Sequence, residues 1–229
     1  MVNIGISLAA IIGTIAAYIV GTWLYKKVYT PLLLPVAVAT LLVVLFLVVT
    51  NTSYETYMEG AKWIDLLLGP AVVSLAYPLY QNREILKDLA FPIFCGTFTG
   101  AIVGITTGVF LADLLGYEEV IVYSLTPKSV TTPVAMDISE TLSGISSLAA
   151  VFVMIAGIFG AMFSTFFFKM FHIDGPVGEG VGLGSASHAI GTSRALESGL
   201  KEGSISTIAM ILSAVFVSVL APFIVEWIM

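Results

Sequence analysis

The residue best suited to chemistry is a lysine that lies within an apolar stretch. Lys128 lies among hydroxyl side chains between Pro127 and Pro133, inside an otherwise apolar stretch from Val120 to Met136. A charged group in apolar surroundings is costly to bury and therefore marks a candidate functional site. An ammonium group beside hydroxyl donors is suited to binding a carboxylate.

The two prolines predict an interrupted helix at this lysine. Each removes a backbone hydrogen bond and disfavours helical geometry in the residue before it. Broken backbone in a membrane must line a cavity, and the N-terminus of a half-helix attracts anions. Alternatively, Lys128 extends to an interface while the threonines satisfy nearby carbonyls. The residues predicted here to bind substrate are Pro127, Lys128, Ser129, Thr131 and Thr132.

A second polar stretch, from Gly178 to Glu197, is rich in small residues. On a regular helix His188 would share a face with Ser185 and Thr192, and its imidazole could carry a proton near neutral pH. Arg194 could bind a carboxylate through two hydrogen bonds or pair with Glu197, three residues on. The substrate-binding candidates in this stretch are His188, Thr192, Ser193 and Arg194.

The composition indicates an integral membrane protein. The chain has 229 residues, of which 58% are hydrophobic and 10% are charged, which is too few polar residues to cover a water-soluble domain. About 20 apolar residues span a bilayer as a helix. Five runs reach that length, and they are Met1–Tyr25, Val28–Tyr54, Leu89–Ala112, Thr141–Phe168 and Gly203–Val225. Three interrupted runs follow as further candidates, namely Trp63–Tyr80, Val120–Met136 and Gly178–Leu196.

These runs predict an all-α polytopic membrane protein. We expect about seven or eight transmembrane helices, some of them discontinuous, in a single membrane domain covering residues 1–229. Leu68–Val73 shares the Leu-x-Pro-x-x-Val spacing of Leu125–Val130, a sign of an internal repeat of the transporter type.

Charge asymmetry predicts the orientation, because loops rich in Lys and Arg face the cytoplasm. The basic loops are those with Lys26 and Lys27, with Arg83 and Lys87, and with Arg194 and Lys201, whereas alternating spans would leave Lys62 and Lys169 outside. The N-terminus is then outside. Whether residues 178–197 cross the membrane or re-enter is left open.

Glycines mark the surfaces for close helix contact, since small residues allow backbones to approach in lipid. The glycines concerned are Gly96, Gly100, Gly104 and Gly108, followed by Gly182, Gly184 and Gly191. Their contacts could lie within the bundle, with a partner or a second copy in a homo-oligomer, or along a surface that slides during transport.

Enzymatic chemistry is not expected. Ser187 and His188 are adjacent and would point about 100° apart on a helix, which is unsuitable for proton transfer, and only Glu197 adds a third group. The sequence suggests no metal site, no cofactor and no nucleic-acid surface.

Two stretches carry a resemblance to a known family. Leu125-Thr-Pro-Lys-Ser-Val-Thr-Thr-Pro-Val-Ala-Met136 and Ser187-His-Ala-Ile-Gly-Thr-Ser-Arg-Ala-Leu-Glu197 resemble the LrgB/CidB family of bacterial membrane proteins. The resemblance implies a multi-pass protein of the bacterial cytoplasmic (inner) membrane.

The family resemblance implies two alternative functions. The first is transport of small monocarboxylates of the pyruvate, glycolate and glycerate class, since similar proteins include a plastid glycolate/glycerate translocator. The second is antiholin-like modulation of murein hydrolase activity and autolysis. Either would involve a small holin-like LrgA/CidA partner.

Overall fold

The protein is built from α-helices. The computed structural model describes residues 4–28, 30, 33, 35–67, 70, 73, 76–81 and 83–229, and these residues contain no β-strand. The helices are α1 (Ile4–Val28), α2 (Pro35–Val49), α3 (Tyr54–Asp65), α4 (Ala76–Gln81), α5 (Arg83–Asp88), α6 (Ala90–Leu114), α7 (Glu119–Leu125), α8 (Thr132–Thr141), α9 (Ser146–Met170), α10 (Pro176–Ser198) and α11 (Leu200–Ile228).

Within the part of the chain that the structure describes, four helices are long and apolar enough to cross a membrane. They are Leu8–Val28 within α1, then α6, α9 and α11, and α2 is a shorter apolar helix. The prediction of an all-α polytopic membrane protein is thereby confirmed. The candidate run Trp63–Tyr80 begins in the last turn of α3 and ends in α4, and between them residues 68, 69, 71, 72, 74 and 75 lie outside the described residues. The repeat signal at Leu68–Val73 therefore falls largely outside the described residues.

The chain divides into an N-terminal unit, Met1–Val73, and a C-terminal unit, Ser74–Met229. In the N-terminal unit α1 packs against α2 and α3. A β-carbon added at Gly21 would lie 2.7 Å from the carbonyl oxygen of Pro35, so this glycine permits close contact of α1 with the start of α2. The hydroxyls of Thr14 and Tyr57 lie 2.8 Å apart and join α1 to α3.

In the C-terminal unit, residues 119–141 form a re-entrant hairpin, called hairpin 1 below. Ser124, near the end of α7, accepts a hydrogen bond of 2.7 Å from the backbone N–H of Ile145, just before α9. Because α8 is roughly 15 Å long, it must run back beside α7 to bring Ile145 to Ser124. The chain therefore enters along α7, turns at residues 126–131 and returns along α8.

Helix α10 forms a second re-entrant hairpin, hairpin 2, over residues 176–198. Its backbone leaves helical geometry at His188, where φ is 43° and ψ is −133°. Gly184 lies against the carbonyl of Ser206, and the hydroxyl of Thr192 lies 3.0 Å from that of the same Ser206. Gly184 and Thr192 are eight residues apart, and in a straight helix they would be separated by about 12 Å, yet both contact Ser206. The chain therefore reverses at His188, and residues 178–197 re-enter.

Contacts with hairpin 2 fix the directions of the spans. β-Carbons added at Gly96 and Gly100 of α6 would meet Val181 and Ser185, so α6 runs parallel to the first limb of hairpin 2. Gly160 of α9 faces Ser187, and Gly182 faces Phe168, so α9 runs antiparallel to that limb. Thus α6 and α9 are antiparallel, and the two hairpins enter from opposite faces.

The unit is consequently an inverted repeat, in which a span followed by a hairpin occurs twice with opposite orientation. The spans α6 and α9 each have 25 residues, and the hairpins, 119–141 and 176–198, are equal in length. Gly104 in α6 faces Ser129 of hairpin 1 as Gly160 in α9 faces Ser187 of hairpin 2. This arrangement is the inverted-topology repeat found in many secondary transporters.

The hairpins change which charges share a membrane face. Val120–Met136 returns instead of crossing, because the hydrogen bond from the Ile145 N–H to Ser124 requires the chain to reverse. Lys169 therefore comes to the same end as Arg83, Lys87 and Lys201. At the other membrane face of the described C-terminal unit the charged side chains are all acidic, and they include Asp113, Glu118, Glu119, Glu140 and Glu226. The positive-inside rule then makes the Lys169 end cytoplasmic and the C-terminus external.

We predict the sidedness of four single cysteines introduced into a Cys95→Ser background. Glu118→Cys and Thr141→Cys should react with a membrane-impermeant maleimide added outside intact cells, whereas His172→Cys and Ser198→Cys should react only after permeabilisation. Each pair flanks one hairpin, so both members must lie on the same side. Reaction of Glu118→Cys and Thr141→Cys from opposite sides would contradict re-entry by hairpin 1.

Candidate functional site

Lys128 lies in the turn of hairpin 1, against the middle of α6. Its ammonium group donates a hydrogen bond of 2.8 Å to the carbonyl of Gly104. A β-carbon at Gly108 would overlap the ammonium nitrogen, so the glycine leaves the space that the lysine occupies. Gly104 is roughly 21 Å from the start of α6. The ammonium group is therefore held near mid-membrane, with hydrogens left for a ligand.

The N-terminus of α8 lies beside this lysine. Thr131 precedes the helix in extended geometry, with φ −62° and ψ 145°, and its side chain does not cap the helix. Its hydroxyl is buried without a partner, and the residue is 9% exposed. The first N–H groups of a helix carry partial positive charge and lack intrahelical acceptors. Thr131, Thr132 and the start of α8 thus supply donors for an anion.

The turn of hairpin 2 is fixed to α9 through His188. The ring Nε2 lies 2.9 Å from the carbonyl of Val153; because a carbonyl only accepts, Nε2 is the donor and bears hydrogen. A β-carbon at Gly157 would lie 2.5 Å from Nε2, so this glycine leaves room for the ring. The residue is buried and has positive φ, which is strained for a side chain other than glycine.

Both hairpins meet the face of α6 that carries Gly96, Gly100, Gly104 and Gly108, called the glycine face below. A β-carbon at Gly100 would lie 3.3 Å from the Ser185 hydroxyl in hairpin 2, and one at Gly104 would lie 3.6 Å from the Ser129 hydroxyl in hairpin 1. Gly100 and Gly104 are one helical turn apart. The two interruptions of the backbone therefore arrive at nearly the same depth, one from each side of the membrane.

A polar cavity of about 420 Å³ opens below the turn of hairpin 2, at the cytoplasmic end. It lies among the C-terminal half of α9, both limbs of hairpin 2 and the start of α11. Its polar lining includes Ser164, Lys169, Asp174, Glu179, Arg194 and Glu202. This cavity is called the cytoplasmic vestibule below.

The predicted site residues fall into two groups. Those near the convergence of the turns are Pro127, Lys128, Ser129, Thr131, Thr132 and His188. Thr192 instead faces Ser206, and Arg194 lies in the vestibule, where it forms an ion pair of 2.7 Å with Glu197. Ser193 is exposed and donates to the carbonyl of Ala189, away from the convergence. His188 does not share a helical face with Ser185 and Thr192, because the helix breaks at His188 itself.

The groups considered for enzymatic chemistry are engaged elsewhere. Ser187 lies against Gly160, His188 binds the carbonyl of Val153, and Glu197 pairs with Arg194. Among the described residues, no group of three or more His, Cys, Asp or Glu side chains could hold a metal ion.

Sequence reasoning missed several residues that shape the site. Val153 contributes only its backbone carbonyl, which no side-chain pattern reveals. Ser206 contacts both limbs of hairpin 2, and it lies in a span whose composition signals only membrane crossing. Gly157 and Gly160 make the space for the second turn, and their spacing of three in α9 is a signal that could have been used.

We predict that alanine lowers stability at only one of the two glycines that occupy equivalent positions in the repeats. Gly160→Ala overlaps the Ser187 side chain, and such overpacking should lower stability by about 1–3 kcal/mol. Gly104→Ala makes ordinary contact with Ser129 and should be tolerated. Thermal unfolding in detergent measures both variants. Adding Ser187→Ala should recover part of the loss, and equal destabilisation by the two alanines would contradict the packing described.

Comparison with known proteins extends this description. The LrgB-like family model matches residues 14–227. The chain is 44% identical to "Uncharacterized protein YxaC" of Bacillus subtilis (strain 168), with 96% of each chain covered. It is 34% identical to "Holin-like protein CidB" of Staphylococcus aureus (strain N315), covering 94% of each, and of Staphylococcus epidermidis (strain ATCC 12228 / FDA PCI 1200), covering 91% of each. No solved structure matches the chain.

The family model covers nearly the whole chain, including both hairpins, and the bacterial relatives match it from end to end. These matches agree with the resemblance in the two polar stretches and with the multi-pass helical fold. This chain is a multi-pass bacterial membrane protein of the LrgB-like family.

Proposed function

We propose that this protein provides a path across the membrane for small monocarboxylates of the pyruvate, glycolate and glycerate class. The observation that carries the proposal is the ammonium group of Lys128, held near mid-membrane at the turn of a re-entrant hairpin. Charged groups within a membrane are costly and are retained mainly where ions or substrates pass. A structural scaffold would not require one at this depth.

The surroundings of Lys128 suit the binding of a carboxylate. The ammonium group offers charge-assisted hydrogen bonds, and the unpartnered hydroxyl of Thr131 offers one more. The start of α8 adds N–H groups with partial positive charge. Two carboxylate oxygens can be bound by Lys128 and the start of α8 together.

His188 is the candidate for coupling a proton to this movement. Its Nε2 donates to Val153, which leaves Nδ1 as the nitrogen that can accept a proton. Transfer of a weak acid with a proton would carry no net charge across the membrane. Arg194 and Thr192, nearer the cytoplasmic end, would assist entry into the path.

The second candidate is antiholin-like modulation of murein hydrolase activity and autolysis. The relatives named "Holin-like protein CidB" support this candidate more directly than they support transport. The two are compatible, because a change in carboxylate flux or membrane energetics could alter hydrolase activity indirectly. Under either function we propose a small holin-like LrgA/CidA partner and assembly into a homo-oligomer, for which the many small residues of the chain offer contact surfaces.

The test is uptake of labelled pyruvate, glycolate and glycerate into proteoliposomes that contain the chain with and without its holin-like partner. Lys128→Met keeps the aliphatic stem and removes the charge. Loss of a hydrogen bond to a charged group costs about 1.5–3 kcal/mol, so KM should rise roughly 10- to 150-fold. Lys87→Met, at an exposed lysine paired with Glu84, is the matched control and should transport normally.

The same variants separate the two candidates when expressed in cells. Normal uptake by a stable Lys128→Met protein would remove Lys128 from the site. If no preparation shows saturable uptake although both proteins are inserted, and autolysis still depends on the chain, modulation of autolysis replaces transport. If Lys128→Met loses both uptake and control of autolysis, control of autolysis depends on carboxylate transport.

A further inference from the structure

We propose that a second vestibule, open to the outside, forms between the limbs of hairpin 1 and the start of α9 when the two repeats exchange conformations. This inference rests on the proposed transport function and adds how the path opens to the other face. Its lining would include Ser124 and Ser139, which are fully buried in the present structure.

The first support is the difference in conformation between the two repeats. The cytoplasmic vestibule lies between a span, the two limbs of its hairpin and the start of the next span. The equivalent space in the other repeat lies among α6, α7, α8 and the start of α9. There the limbs pack closely against the start of α9, since Ser124 and Ser139 are fully buried and a β-carbon at Gly144 would lie 2.6 Å from the Ser139 hydroxyl.

Equivalent contacts join each hairpin to the span that follows it. Ser124 in the first limb of hairpin 1 accepts from the N–H of Ile145, at the start of α9. Gly180 in the first limb of hairpin 2 lies against the carbonyl of Glu202, at the start of α11, where a β-carbon would be 2.9 Å from the oxygen. The same framework is therefore present twice, once around an open space and once around a closed one.

The two repeats share one fold, but the space beside hairpin 2 is open and the space beside hairpin 1 is closed. This difference defines two states of the protein, one open to each membrane face. Each repeat demonstrates a conformation that its counterpart can adopt, and exchange of the two produces the inverted state without new local structure. A ligand bound where the hairpin turns meet contacts both repeats. It changes the relative populations of the states to the extent that it binds one of them more tightly.

The second support is a hydroxyl that the closed outer face leaves unsatisfied. Ser139 is completely buried and its Oγ has no hydrogen-bond partner. A buried hydroxyl without a partner costs about 1–3 kcal/mol. Exposure to water in an outward-open state would satisfy it, whereas a permanently packed core position would be better occupied by alanine.

The test compares two cysteines in a Cys95→Ser background, reconstituted with its partner in vesicles of known orientation. Ser139→Cys reports the outer space and Ser198→Cys reports the cytoplasmic vestibule, which it lines. Saturating pyruvate, glycolate or glycerate should change their rates of reaction with impermeant maleimides in opposite directions, by at least about fivefold. Thr141→Cys, exposed at the external end of hairpin 1, is the control for reagent access and should not change.

A bridged variant gives an independent result. In Ser124→Cys/Ser139→Cys, a short bifunctional thiol reagent would hold the limbs of hairpin 1 together and should abolish uptake reversibly, with recovery on reduction. The same reagent should not inhibit Ser139→Cys alone.

The outcomes distinguish this inference from the transport proposal. Normal uptake by the bridged protein, or Ser139→Cys that stays unreactive with every substrate while uptake proceeds in the same vesicles, would overturn exchange between the repeats and leave transport standing. Absence of uptake in all preparations would overturn the transport proposal, and this inference with it.

Discussion

Interrupted backbone inside a bilayer must be covered by protein, because unsatisfied N–H and C=O groups there cost several kcal/mol each. The glycine face of α6 provides that cover. At Gly100 and Gly104 the absence of side chains lets the first limb of hairpin 2 and the turn of hairpin 1 approach the helix. The depth at which both hairpins stop follows from this contact, and so does the position of Lys128.

The two hairpins differ in how their turns are held. Hairpin 1 is fixed by a charged side chain, since Lys128 donates to the carbonyl of Gly104. Hairpin 2 is fixed by a neutral contact, from the imidazole of His188 to the carbonyl of Val153. In both cases the acceptor is a backbone carbonyl of a neighbouring span. Polar groups are thereby concentrated at the centre of the unit while its periphery remains apolar and compatible with lipid.

The sequence predicted the first interruption well and the second only in part. Pro127 and Pro133 interrupt a helix by known sterics, so the break at Lys128 could be located from sequence. No proline lies near His188, and its reversal depends on packing against α9 and Ser206, which are distant in sequence. The pairing of Arg194 with Glu197 follows from their spacing of three and was anticipated as one alternative.

The membrane topology follows less directly from the sequence than the positions of the helices do. Hydropathy measures the length of an apolar run but does not show whether the chain crosses or returns. Counting Val120–Met136 as a crossing span placed Lys169 outside, and the hydrogen bond from the Ile145 N–H to Ser124 reverses that assignment. Similarly, the glycines of α6 indicated close packing, but their partners, two hairpins from opposite faces, required three-dimensional contacts.

The meeting of both hairpins on one helical turn of α6 is tested most directly by disulfide cross-linking in a Cys95→Ser background. A β-carbon at Gly100 would lie 3.6 Å from that of Ser185, within the range of a disulfide, and Gly104 faces Ser129. We predict that Gly100→Cys/Ser185→Cys cross-links rapidly in membranes and that Gly104→Cys/Ser129→Cys cross-links more slowly, because only the Ser129 hydroxyl comes within 4 Å of the β-carbon position at Gly104. Gly100→Cys/Ser193→Cys should not cross-link. Failure of the Gly100→Cys/Ser185→Cys pair, or cross-linking of Gly104→Cys/Ser129→Cys no faster than the Ser193 control, would contradict convergence of the hairpins on α6.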